Sequence, residues 1–314
     1  MSLSSKLVEI LPPGITKLMT EILKESFVLT LIGGSVRDFI ISGKLSMDLD
    51  FELGHINEYG QEEWIILLDK FEHLLIGHGF DVIKNDMFHV YKVTYEGYSL
   101  EFASARTENH SLDKEEKGHR DLSVTFHSSI DSALSFKRRD FTCNAIGLKF
   151  VHENSKLQVN VEDPFNGITA IENKELVPCH EDFVYDPVRF LRAVRFEVKL
   201  GFTLSDKLCE YLEVMNLQKL TNFYYLSEAF KTDFMAFSHR FFTLTKSFKT
   251  PLAQRISNLS YLSEFKDAPS LSSKEDVLDY LIESNATAVE LESFREFTSM
   301  KKSDFRKRVK SARR

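Results

Sequence analysis

Cysteine is scarce in this chain: Cys143, Cys179 and Cys209 are the three in 314 residues. They form no CxxC pair, which excludes a cysteine-rich zinc site and fits a reducing cytoplasm. Free thiols of this kind are ordinarily buried and inert. Long apolar runs are missing as well. No segment approaches the roughly 18 uninterrupted apolar residues of a membrane span, so no membrane partner is expected. The first residues, MSLSSKLVEILPPG, carry two prolines and a glutamate where a secretory signal needs an apolar block. The expected location is therefore the cytoplasm. There is no internal repeat, no long low-complexity linker and nothing that implies an obligate protein partner.

What is present is an ordinary globular composition, 43% apolar and 28% charged, in a chain long enough for two or three modest domains. The net charge of -7 by itself weighs against a nucleic-acid partner. The charge is unevenly spread, however. Residues Lys301 to Arg314, KKSDFRKRVKSARR, hold eight basic residues and one acid, a local +7 that leaves -14 for the rest. Such a run is either a solvated end or a tail that touches phosphates.

Apolar spacing predicts a helix over Ile15 to Ser26, a short buried strand over Phe27 to Ile32 and a helix over SVRDFIISG closed by Gly43. MDLDFEL (Met47 to Leu53) alternates as a strand, Glu62 to Phe80 reads as a helix ending near Gly77, and Phe88 to Arg106 as a hairpin turning at Glu96-Gly97. NAIGLKFV and LQVNVED are strand-like. From about Ile168 the pattern becomes helical, with amphipathic segments DPVRFLRAVRFEVKLGF, LCEYLEVMNLQKL, SEAFKTDFMAF and KEDVLDYLIES, the last behind a capping signal at Ser273. The expected fold is an N-terminal α/β head, a mixed sheet with packed helices, followed by an all-α body. The expected divisions are 1–150 for the head, 151–200 for a neck and 201–314 for the body and its basic tail.

On a strand, side chains two apart point the same way, so Asp48 and Asp50 share a face opposite Met47, Leu49 and Phe51. Two carboxylates that close repel each other, and either one keeps a proton or a cation joins them. A divalent ion with hard oxygen ligands, Mg²⁺ or Mn²⁺, is the economical solution. Gly33-Gly34 sits at a strand-to-helix junction, where backbone N–H groups can approach a phosphate. Alone, the glycine pair reads equally as a tight turn. Glu101, on a strand between Leu100 and Phe102, is a third available acid.

These residues together resemble a known family. GGSVRD followed by DLD is similar to the G-G-x-V-R-D…D-x-D head of class II tRNA nucleotidyltransferases and bacterial poly(A) polymerases. LEFASARTE resembles the strand that carries the third catalytic acid, KRRDFTCNAIGL the R-R-D-F-T-x-N-A motif, EDPFNG the turn after it, and DPVRFLRAVRF the base-reading helix. The likeness runs from about Phe27 to Phe202, in the family's order, and is closest to the bacterial CCA-adding branch. Two positions depart from it. Tyr185 stands where the base-reading motif has Glu, and SEAFKTDFMAF lacks the E-R-x-x-x-E pattern.

The resemblance implies two-metal transfer of CMP and AMP from CTP and ATP to a tRNA 3′ end. Asp48, Asp50 and Glu101 are then the catalytic metal ligands, and Gly33, Gly34 and Arg37 cradle the triphosphate. Asp38 fixes the loop. Arg138, Arg139, Asp140 and Asn144 lie around phosphates and ribose, and Asp163 caps a turn. Asp186 and Arg189, i and i+3 on a helix, read the base, with Arg192 and Arg195 extending toward phosphate or RNA. An A-only, CC-only or poly(A)-adding enzyme shares this head, and an inactive RNA-binding protein could be built on it.

Overall fold

The computed structural model describes residues 3–110, 122–153, 156–265, 269–271 and 273–312. Of these, residues within 1–111, 122–173 and 177–180 form one compact unit, and those within 174–176 and 181–314 a second.

The first unit opens with α1 (Leu3–Ile10) and α2 (Pro13–Lys24), which buries Ile15, Leu18, Met19 and Ile22 along one stripe. Strand β1 (Phe27–Ile32) follows, then α3 (Gly34–Ser42), ended by Gly43 in a left-handed conformation, and β2 (Asp48–His55). Helix α4 (Gln61–Gly77) leads to β3 (Ile83–Asn85) and to the hairpin of β4 (Val90–Tyr95) and β5 (Tyr98–Ser104), which turns at Glu96-Gly97. A separate two-stranded ladder joins β6 (Arg106–His110) to β7 (Leu122–Phe126). After α5 (Ser132–Phe136) come β8 (Gly147–Glu153), β9 (Lys156–Glu162) and α6 (Gly167–Glu172). The main sheet runs β3-β4-β5-β2-β1-β8-β9, with β1 antiparallel to both neighbours and β2 parallel to β5. Helix α1 and the three-residue β3 are elements that the periodicity does not predict.

Strand alternation makes this sheet two-faced. Leu49, Phe51 and Leu53 are fully or almost fully buried on one side. There Phe51 stacks on Phe102 at 5.2 Å, and Phe102 meets Phe71 of α4 at 5.3 Å. The buried Trp64 of the same helix donates its indole N–H to Ser104 Oγ at 2.8 Å. Burying four aromatic rings fixes the register of β2 against β5, because a slip of one residue would turn the acids inward. The opposite side carries Asp48, Asp50 and Glu52. At the start of α6, Gly167 lies so close to the Thr142 carbonyl that an added Cβ would collide with it and stand 2.7 Å from Ile146 Cγ1.

Among its described residues, the second unit is mainly helical, with one short parallel pair, β10 (Glu175–Leu176) with β11 (Thr203–Leu204). Its helices are α7 (Val188–Leu200), α8 (Asp206–Val214), α9 (Asn222–Ala229), α10 (Phe234–Ser247), α11 (Gln254–Ser257), α12 (Lys274–Glu283), α13 (Ala288–Phe297) and α14 (Lys302–Ala312). SEAFKTDFMAF is not one helix. The Asp233 carboxylate accepts the Ala236 N–H at 2.7 Å and starts α10, which breaks the periodic stretch into the end of α9 and a new helix. Ser273 caps α12 through Asp276 N–H, as its position predicts. Tyr225 anchors the core, with the rings of Phe237, Phe241 and Phe297 at 5.2–5.4 Å and its hydroxyl on Ser238 at 2.9 Å. In the basic tail, Arg308 of α14 pairs with Asp279 of α12, whereas Arg313 and Arg314 lie outside the described residues. No described helix is long and apolar enough to cross a membrane.

Candidate active site

The end of β1 sets the geometry. Gly33 has φ of +82°, a conformation that side-chain-bearing residues avoid, and it lets α3 begin at Gly34 directly above the strand end. The first N–H groups of α3 have no partners inside the helix and, with the helix dipole, favour an anion. A Cβ placed on Gly33 would stand 3.4 Å from Arg139 Nη1 and 3.8 Å from Asp50 Oδ2. A glycine, a guanidinium and a carboxylate therefore meet at one point.

The ladder brings the third acid there. In the parallel register of β2 and β5, Asp50 is paired with Glu101, and Asp48 lies one pleat away opposite Ser99. On the far side of Glu101 its partner is Lys92 of β4. Loss of solvent pushes the Asp50 carboxyl above the ordinary carboxylate range; Arg139 opposes this and Asp48 adds to it. Glu101 is raised for the same first reason, and Asp50 beside it is the next cause. Among the described residues, no three carboxylate, imidazole or thiol groups are closed into a metal cage. The acids lie open along two neighbouring strands instead. Hard oxygen donors in an open row fit a Mg²⁺-type ion, which keeps waters and takes substrate phosphate oxygens as further ligands.

Behind the glycine loop lies a polar brace. Arg37, 3% exposed, donates from Nη1 to Asn144 Oδ1 at 2.6 Å and from Nε to Asp38 Oδ1 at 2.8 Å. Asn144 in turn donates to Asp140 Oδ1 at 2.9 Å, which also accepts the Phe141 N–H. Arg37 is thus buried under the loop rather than open above it, and Asp38 ties the loop to it. Arg139, half-buried over the Phe136 ring, is a cation beside Gly33 and Asp50. Asp163 accepts the N–H groups of Gly167 and Ile168 at 2.6 and 3.0 Å, the turn cap that its motif predicts.

A cleft of about 460 Å³ opens next to the acids, lined by Asp50, Glu101, Lys92, Arg106, Arg138, Arg139 and Phe88 among others. Burial, with Arg139 and Arg106 nearby, lowers the Arg138 guanidinium to about 10. Sequence reasoning missed Lys92, Arg106 and Glu52. Alternation from Asp48 and Asp50 points to Glu52, and the LEFASARTE stretch contains Arg106, whereas Lys92 emerges only from the register.

The second unit holds the remaining sequence candidates. Asp186 precedes α7 instead of lying within it, and its Oδ1 accepts the Val188 N–H at 2.9 Å. Arg189 Nε is 3.9 Å from Asp186 Oδ2, and its guanidinium lies over Phe183 at 5.7 Å. Both side chains are buried. Arg192 lies over Phe196, whereas Arg195 is buried and pairs with Glu228 at 3.1 Å.

The profile of the family described as Poly A polymerase head domain matches residues 29–177. A CCA-adding enzyme of Bacillus cytotoxicus is 33% identical over 179 residues, 56% of this chain and 38% of that protein. One from Listeria monocytogenes serotype 4b is 32% identical over 206 residues, 64% of this chain and 44% of its own length. The chain thus spans about two fifths of the length of the curated relatives it matches. Among solved structures, a Thermotoga maritima CCA-adding enzyme complexed with tRNA_CCA superposes with a TM-score of 0.62 at 20% identity, covering 99% of this chain and 73% of that one. A complex of CCA-adding enzyme with CTP gives 0.63 at 18% identity, with 99% and 72% covered. At such identities the likeness speaks for the fold. The segment that matches the poly A polymerase head domain, residues 29–177, is the one that carries the glycine pair, the three acids and the paired arginines.

Proposed function

We propose that this protein is a template-independent nucleotidyltransferase that adds CMP and AMP, from CTP and ATP, to a tRNA 3′ end. The observation that carries the reading is the meeting of Gly33, Arg139 and Asp50 at the end of β1, with Glu101 paired beside Asp50. The CCA-adding relatives, and the solved complexes of related enzymes with CTP and with tRNA, support the choice of substrates.

In this reading the N-terminus of α3 and the Gly33-Gly34 backbone hold the triphosphate, and Arg139 faces the charge that develops during transfer. Arg37, Asp140 and Asn144 keep that loop in place from beneath, and Arg138 serves a phosphate from the cleft. Asp48, Asp50 and Glu101 would hold one divalent cation, Mg²⁺ or Mn²⁺, and Asp48 and Asp50 a second; bound there, such ions would lower the pKa of the attacking 3′-hydroxyl and offset charge on the leaving pyrophosphate.

Base choice falls to Asp186 and Arg189. A carboxylate accepts from an exocyclic amine and a guanidinium donates to a ring nitrogen. Cytosine and adenine offer that pattern. Guanine and uracil present the reverse, and each unpaired group costs about 1–3 kcal/mol. The test is incorporation by purified protein with Mg²⁺ and tRNA lacking its 3′ CCA. Growth by three nucleotides only with CTP and ATP together is the expected result. Unlimited growth with ATP alone indicates a poly(A) polymerase, and addition confined to A or to CC indicates those narrower activities. No incorporation of either nucleotide sinks the reading.

A further inference from the structure

The acid row of β2 extends one pleat beyond Asp50. Glu52 shares the face of Asp48 and Asp50, pairs across the sheet with Thr30 and Ala103, and is 9% exposed. Unlike the open acids, its carboxylate is engaged. Ser135 Oγ of α5 donates a short hydrogen bond to Oε2, and Arg138 Nη2 lies 3.7 Å from the same oxygen. On the other side, Glu108 Oε1 of β6 is 3.7 Å from Arg138 Nη1 and accepts from Arg106 Nε at 2.9 Å. Arg138, Arg139 and Arg106 crowd one wall of the cleft, where their charges repel one another. At 3.7 Å the two glutamates act on Arg138 through charge, beyond hydrogen-bond range. They aim the guanidinium and offset its neighbours.

We propose that Glu52, seated by Ser135, and Glu108 are positioning residues that hold Arg138 in the cleft beside Asp50 and Glu101, where it takes a phosphate group. That phosphate belongs to the nucleoside triphosphate or to the backbone of the acceptor RNA. The proposal rests on the nucleotidyltransferase reading and deepens it. Guanidinium groups this close repel one another, and a phosphate's paired oxygens match the fork of a guanidinium that the two glutamates hold in place.

Glu52→Gln keeps the shape and an oxygen acceptor for Ser135 but removes the charge. In steady-state incorporation its expected effect is a rise of about tenfold in one KM, with kcat lowered by less than about threefold. Glu52→Asp should restore most of that KM. Which KM rises, that for CTP and ATP or that for the RNA acceptor, identifies the phosphate. Arg138→Lys should raise the same KM, and the double variant should be no worse than Arg138→Lys alone, because each change disables one unit. Unchanged KM values in Glu52→Gln, or effects that multiply in the double variant, overturn the proposal. Binding of a fluorescent single-stranded RNA and of pyrophosphate gives a readout without turnover. If the wild-type protein incorporates nothing, the functional reading fails, and the positioning claim then stands or falls on whether Glu52→Gln and Arg138→Lys weaken the same ligand equally. Should Glu52→Gln fail to fold, Glu108→Gln and Ser135→Ala carry the same measurements. An unchanged KM in both would again overturn the claim.

Discussion

Arg37 and Asn144, 107 positions apart in the chain, are joined by a hydrogen bond of 2.6 Å from guanidinium Nη1 to amide Oδ1. It locks the first turn of α3 to the short turn at 142–144 and places the helix N-terminus over the acid row. Asn144→Ala leaves a buried guanidinium short of an acceptor. The expected cost is about 1–3 kcal/mol in chemical denaturation of the first unit. An unchanged midpoint would show that the brace is dispensable.

Gly33→Ala tests the glycine loop. With φ of +82° and ψ of -142°, Gly33 sits outside the left-handed helical basin in a region that costs any side chain about 1–3 kcal/mol, and the new methyl intrudes between Arg139 and Asp50. The expected outcome is a loss of about tenfold or more in nucleotide incorporation with a fold intact by circular dichroism. Activity near wild type would remove Gly33 from the site.

Crowding of Asp50 and Glu101 has a pH signature. Both carboxyls hold their protons to higher pH in the folded protein than in the unfolded chain. The folded state is therefore the proton-richer one across that window. Without divalent cations, stability should fall as pH rises from about 4 through the raised values. Asp50→Asn with Glu101→Gln should flatten the fall and raise Tm by about 1–4 °C near neutrality. Mg²⁺ should stabilise the wild type and leave this double variant unmoved. A wild-type Tm indifferent to Mg²⁺ would count against the metal assignment.

Arg195 and Glu228 join α7 to α9 inside the second unit, with Lys231 on the same carboxylate at 2.6 Å. Arg195→Met strands part of a buried charge, and a loss of about 3 kcal/mol is expected, with partial recovery in Arg195→Met/Glu228→Gln. If Arg195 serves RNA phosphates instead, stability will hold and RNA affinity will drop.

Replacing Lys302, Arg306, Lys307 and Lys310 of α14 by Gln spares the Arg308–Asp279 pair that ties this helix to α12. Should these exposed residues contact RNA, the slope of log affinity against log salt will decrease by roughly 0.7–0.9 for each contact removed. An unchanged slope marks the tail as a solvated end.

Much of this site is legible in the residues because its chemistry sits where local rules are strong. Strand alternation puts Asp48 and Asp50 on one face, and a glycine pair after an apolar strand marks the junction. Glu101 required the ladder to become their neighbour. Alternation places Glu52 in the acid row, but its partners Ser135 and Arg138 come from the fold, and Lys92 gains a role only through the register. Arg37 reads as a phosphate ligand in the sequence, and only the fold shows its hydrogen bond to Asn144. Asp186 falls outside α7 because Pro187 follows it, and a residue before proline is disfavoured in helical conformation. The break before Phe234 was hidden because the apolar spacing continues in phase across Asp233.

Gly167 and the Thr142 carbonyl touch so closely that EDPFNG and RRDFT are one mechanical joint, although about twenty residues separate them in the chain. Substitutions in the DPFNG turn should therefore report as assembly defects, lowering yield and stability before they alter turnover. The same contact bears on how such chains are recognised. These two motifs testify together to a correctly built head, and a protein can keep both while Asp48, Asp50 or Glu101 is replaced.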